Sequence, residues 1–139
     1  MSGPRAIGDV LRDTGLLAGR CLLVLIFLHE GVSLVGNLAG AAAYMQKSGV
    51  PSVFLPAVIA LQLGGGLLIA AGVLTRLSAL AFAAFCVSTA ILFHWQFASQ
   101  NELLHFQKDL AIAGGFIVLA CSGPGGWSLD RYVARIRQG

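Results

Sequence analysis

Charge is scarce in this chain: 11% of its 139 residues are Asp, Glu, Lys or Arg, against about 25% in an ordinary soluble domain. That shortage excludes a typical soluble globule. Cysteine is scarce too. Cys21, Cys86 and Cys121 are far apart, form no CxxC and have no histidine at metal-ligand spacing, so a disulfide scaffold and a zinc module are excluded and the thiols read as buried and inert. No Lys-Ser or Lys-Thr pair follows the glycines, which excludes a phosphate-binding loop. The net charge of +3 does not point to nucleic acid as a partner, because the arginines gather at the two ends of the chain as topology determinants do.

Apolar residues make up 57% of the chain, and they fall in long runs without alternating polar faces. Such runs read as membrane spans. Four are assigned, at about 16–38, 53–74, 77–98 and 103–121, each near the roughly 17 to 25 residues a span needs. The expected fold class is all-α: an integral membrane four-helix bundle with a short C-terminal amphipathic helix, and the lipid bilayer is its first partner. Residues 1–15 read as a cytoplasmic N-terminal segment and 122–139 as a cytoplasmic turn and amphipathic helix. Arg5 and Arg12 before an apolar stretch imitate a secretory signal. The nearest small-residue site, Ala41 to Ala43, lies too far along, so an uncleaved first span is expected.

The junctions carry their own signals. Gly49, Pro51 and Ser52 break the chain between the first two spans, and Ser52 is placed to cap the next helix. Pro56 falls in that helix's first turn, where its missing N–H costs little. Thr75 and Arg76 alone join spans two and three, which requires a tight antiparallel hairpin. Ser128 is placed to cap a helix with Leu129, Tyr132, Val133 and Ile136 on one face, as a helix lying on a membrane surface has.

Orientation follows from the basic residues. With both termini cytoplasmic, Arg5, Arg12, Arg20, Arg76, Arg131, Arg135 and Arg137 lie inside and Lys47 and Lys108 outside, a strong positive-inside bias. The expected location is a bacterial inner membrane. Trp95 and Trp127 suit the aromatic belts at the two interfaces. Arg20, near the inner end of the first span, is expected to snorkel to the headgroups.

Polar residues inside the spans form the candidate site, because an unpaired charge at bilayer depth costs on the order of 3 kcal/mol. Counted by helical rise, His29, Glu30, Gln62, His94, His105, Lys108 and Asp109 are expected to converge in the outer leaflet. His105, Lys108 and Asp109 share one face of span four, and a pair between Lys108 and Glu30 is expected. Three readings stay open at this point. Histidines and carboxylates can ligate a metal, although no HxH or HxxxH spacing occurs and no metal site is assigned. The same groups can hydrogen-bond a quinone and relay protons. They can also pair with one another for structural reasons alone. Gly64, Gly65, Gly66, Gly114 and Gly115 read as packing positions that let helices approach, within the bundle or in self-association.

These residues together resemble the DoxX family of small four-span membrane proteins. The resemblance runs from Arg20 to about Asp130. It rests on Arg20 with Phe27 and Gly31, on Gly49 with Pro51, and on Gln62, Gly65, Gly66, Gly72, Thr75 and Arg76. It is sharpest in Phe106-Gln107-Lys108-Asp109-Leu110-Ala111 with Gly114-Gly115, then Gly123-Pro124-Gly125 and Trp127-Ser128-Leu129-Asp130. It implies an accessory membrane subunit of a redox or quinone-linked system, with quinone as the cofactor and a redox protein as partner. A structural or assembly protein without cofactor and a small-solute transporter or channel are the alternatives. The chain departs from the family pattern at Glu30, where relatives carry a small or apolar residue, and at Gln62, where a Glu is common. It also lacks the cysteine pair of redox-active relatives.

Overall fold

The computed structural model describes residues 7–95 and 99–137; Arg5 and the end of the third expected span, at Ala98, lie outside them. Helices account for nearly all of the described chain: α1 (Ile7–Gly36), α2 (Leu38–Lys47), α3 (Leu55–Ile59), α4 (Gly66–Ala71), α5 (Thr75–His94), α6 (Gln100–Ser122) and α7 (Leu129–Ile136). A 3₁₀ turn (Ser52–Phe54) leads into α3, and a π-helical turn (Ala60–Gly65) joins α3 to α4. Residues Ser52–Ala71 thus form one continuous rod, and with α1, α5 and α6 it makes four helices long and apolar enough to cross a membrane. The fold is an all-α membrane bundle. Around it, α1 packs on the second span and on α6, and α5 packs on the second span and, most extensively, on α6.

The bundle differs from the sequence-based expectation at several ends. The first helix is already formed at Ile7, the first described residue and well before Leu16, because its early turns have a docking surface of their own. It stops at Gly36, and Asn37 starts α2 by accepting a bond from the Gly40 N–H at 3.1 Å. No sign of α2 was read from the sequence, since Ala-rich Leu38–Lys47 looked like a continuation of the span and its connector. Tyr44 stacks on Phe93 at 5.5 Å and holds α2 against α5. Ser52 caps nothing; its hydroxyl accepts from Gln46 Nε2 at 3.2 Å. Ser128 does cap α7, accepting from the Arg131 N–H. The hairpin between the second and third spans turns through Gly72, Val73 and Leu74, so Thr75 already belongs to α5.

A lipid-facing bundle buries only what lies between its helices. Phe27, Phe82 and Phe116 meet at the centre from α1, α5 and α6, with ring centroids 4.8 Å apart for Phe27–Phe82 and 4.9 Å for Phe82–Phe116. Aromatic pairs at such spacings gain about 0.5–1.5 kcal/mol beyond their burial. Three glycines flank them where helices approach. A Cβ at Gly66 would come within 2.9 Å of Leu28 Cδ2, one at Gly115 within 2.9 Å of Leu23 Cδ2 and one at Gly65 within 3.0 Å of Phe82 Cε2. Gly64 and Gly114 face open space instead, because each is turned about a quarter of a helical turn away from its packing neighbour. Gly31, quoted only for its family resemblance, is the tightest of the spans' approaches, with Leu63 Cδ2 2.7 Å from the position of a Cβ. The thiols also correct the expectation: Cys86 is buried, whereas Cys21 and Cys121 are exposed on the bundle surface.

At the end of the bundle that carries α7, the loop Gly123–Ser128 folds back over the helix ends. Arg20 does not snorkel to the headgroups. It is 2% exposed, and its guanidinium donates to the carbonyls of Ala70, Pro124 and Trp127. Two turns earlier on the same face, Asp13 Oδ1 accepts from the Gly126 N–H at 2.6 Å. One residue therefore holds the loop's carbonyls and the other an N–H. From the far side, Asp130 accepts from the N–H groups of Leu74 and Thr75, and its own N–H donates to the Gly72 carbonyl. Gly72 is required here: its φ is +74°, and a Cβ would lie 2.5 Å from Ser128 Cβ.

Candidate functional site

At the opposite end, α5 and α6 bring a chain of titratable groups together. His94 closes α5, and its Nδ1–H donates to Glu102 Oε2 at 2.9 Å. The His94 ring stacks on that of His105, with centroids 5.2 Å apart. Lys108 Nζ, which can only donate, lies 3.3 Å from His105 Nδ1. Glu102, His94, His105 and Lys108 thus form one continuous polar run, half-buried at its centre and exposed at Lys108. Trp95 and Phe106 meet edge to face beside it, 6.1 Å apart.

Asp109 belongs to a separate pair on the same two helices. Thr89 Oγ1 lies 3.2 Å from Asp109 Oδ2 and 2.9 Å from the Cys86 carbonyl. That bond ties mid-α5 to mid-α6 and holds the carboxylate half-buried.

The remaining three candidate residues lie elsewhere. Arg20 is level with Ala70, which its guanidinium contacts, and Glu30 follows ten residues later, so it sits roughly 15 Å along the bundle, near mid-height. Lys108 and His105 stand roughly 21 and 25 Å above Ser122. His29 and Glu30 are exposed on α1, and among the described residues no ion pair joins Glu30 to Lys108. The sequence count put them higher because it started the span at Leu16, whereas the buried Arg20 sets the level of the helix end. Gln62 lies beside Gly31, whose added Cβ would be 3.2 Å from Gln62 Cβ. It is 6% exposed, and its Oε1 has no hydrogen-bond partner. It occupies the π-helical turn, a geometry that recurs at functional sites.

Glu102 was missed in the sequence, although a signal for it exists. Ser99-Gln100-Asn101-Glu102 is a capping-box pattern, and Ser99 Oγ does accept from the Glu102 N–H at 3.3 Å. Reading it would have started the fourth helix at Gln100 and put Glu102 in its first turn, where a carboxylate suits the helix dipole. Among the described residues no three His, Cys, Asp or Glu side chains are grouped as a metal ion requires.

The similarities of the chain agree with this architecture. Residues 15–95 match the DoxX family. The inner membrane protein YqjF of Escherichia coli (strain K12) is 46% identical over 121 residues, covering 87% of this chain and 93% of that protein. The inner membrane protein YphA of the same organism is 35% identical over 127 residues, covering 86% of this chain and 91% of its own length. No solved structure matches the chain. The matched stretch contains Arg20, Phe27, Gly31 and the Gly65-Gly66 approach, which hold the bundle together, and also the buried Gln62 and Thr75; the chain belongs to the DoxX family.

Proposed function

We propose that this protein is an accessory subunit of a quinone-linked redox system in a bacterial inner membrane, with both termini cytoplasmic. The carrying observation is the run from Lys108 to Glu102, in which the Lys108–His105 and His94–Glu102 contacts are brought together by the stacking of the two imidazole rings. Histidine and carboxylate groups within hydrogen-bond reach can hold and pass protons. The donor set fits a quinone: Lys108 and His105 are the groups that would hydrogen-bond a carbonyl oxygen, beside the apolar surface of Trp95 and Phe106. When bound, a quinone supplies a carrier for paired electrons and protons. The chain's own part is to move a proton along His94 to Glu102, at the helix end where α6 leaves the apolar region.

The accessory role is supported by Glu30. A carboxylate exposed on α1 near mid-height costs on the order of 3 kcal/mol against lipid, and a helix of a partner protein with a donor at that level removes the cost. The inner membrane location is supported by the names of the two relatives. Gentle detergent extraction from the native membrane tests the reading. Quinone retained by the wild type, and reduced several-fold in a His105→Ala, Lys108→Met variant of unchanged Tm, is the expected result. A wild-type protein that emerges alone and free of quinone would overturn it.

A further inference from the structure

The end of the bundle closed by the Arg20 clasp carries a second feature. Between the start of α1, the start of α5 at Leu74–Leu77, the Ser122–Gly126 stretch and α7 lies an open cavity of about 640 Å³, inside the roughly 300–1,000 Å³ range of small-molecule sites. Four arginines line it: Arg12, Arg76, Arg131 and Arg135. They come from three separate helices, α1, α5 and α7, so helix periodicity alone does not explain their convergence. Each is exposed, and none has a side-chain hydrogen bond or ion pair among the described residues.

Three carboxylates share the wall, and two are already committed. Asp13 bonds the Gly126 N–H, and both oxygens of Asp130 take N–H groups, from Leu74 and Thr75. Only Asp9 remains, on the first turn of α1. Behind the wall the buried Arg20 adds a further positive charge whose donors are spent on neutral carbonyls. The wall also holds Thr75, 1% exposed, whose Oγ1 has no hydrogen-bond partner. Four arginines against three carboxylates leave the lining one positive charge in excess, and among the described residues the four planar guanidinium forks are without acceptors. Such forks match the oxygens of a phosphate bidentately.

We infer that this cavity is a binding site for a phosphate-bearing anion, held by Arg12, Arg76, Arg131 and Arg135. The phosphate is either the headgroup of an anionic phospholipid or that of a free solute. The site is independent of the polar run at the other end and does not depend on the redox reading.

The test uses the full chain in phosphatidylcholine nanodiscs, with and without phosphatidylglycerol. Wild type is compared with Arg76→Gln, Arg131→Gln and with a control, Lys47→Gln, that removes an exposed charge at the far end. Titration with inorganic phosphate at constant ionic strength is followed by Tm, and retained phosphatidylglycerol is counted by native mass spectrometry. A free-solute site gives a saturable Tm rise whose midpoint weakens at least tenfold in the double variant and stays put in Lys47→Gln. A headgroup site gives phosphatidylglycerol retention that the double variant loses, with no response to inorganic phosphate. If the double variant fails to fold, Arg12→Gln, Arg135→Gln carries the same comparison. Wild type showing neither saturable response nor selective retention, or losing either equally in Lys47→Gln, overturns the site.

Discussion

Arg20 shows how differently one residue behaves once the chain is folded around it. A cation near the end of an apolar helix normally reaches for headgroups, yet here three backbone carbonyls surround it. Hydrogen bonds to a charged group contribute about 1.5–3 kcal/mol each, and removing the guanidinium strands the carbonyls of two segments. Arg20→Met is therefore expected to cost at least about 3 kcal/mol and to open the Gly123–Arg137 segment to protease. Arg20→Lys should recover only part, since a single ammonium cannot fork to carbonyls on both sides. Equal protease resistance in all three proteins would count against the clasp. Gln62 is the opposite case. Its Oε1 is buried without a partner, which costs about 1–3 kcal/mol, so Gln62→Met should raise Tm in detergent; a lower Tm would mean that the oxygen is satisfied in the membrane.

At the scale of helices, the glycines separate into those that set a contact and those that do not. Gly66 faces Leu28 and Val24 of α1, whereas its near neighbour Gly64 faces open space. Gly66→Leu should cost roughly 1–3 kcal/mol by overpacking, and Gly64→Leu should be tolerated. Thermal unfolding of the two variants distinguishes them, and equal losses would refute the packing register. A further element-level expectation concerns α7, whose Leu129, Tyr132, Val133 and Ile136 are all exposed. A helix with that face unpartnered suits a membrane surface, and Tyr132→Glu with Val133→Glu should weaken protection of α7 in hydrogen exchange in lipid while leaving detergent Tm unchanged.

For the whole molecule, the two ends are electrically unlike. Arg12, Arg20, Arg76, Arg131, Arg135 and Arg137 stand at the α7 end, and Lys47 and Lys108 belong to the other half. The positive-inside bias predicts that alkaline phosphatase fused after Arg137 is inactive and that the enzyme inserted at Gly49 is active. The reverse pattern would put the histidine run in the cytoplasm and the arginine cavity outside. Most of the span surface is exposed to the surroundings, so lipid contact rather than internal burial sets the position of the bundle.

Four long apolar runs were legible without any coordinates, because a span is a one-dimensional requirement of length and hydropathy. The polar positions within them were legible for the same reason, as was the Ser128 cap, which needs only a local pattern. Which polar residues meet was not. His94, His105 and Lys108 join Glu102 because α5 and α6 pack closely, while Glu30 points out of α1 at a lower level. That level is fixed by Arg20, and its burial depends on a loop a hundred residues later in the chain. Hydropathy measures each residue against lipid, whereas the clasp, the polar run and the arginine cavity arise between segments distant in sequence, where only tertiary packing decides which donor finds which acceptor.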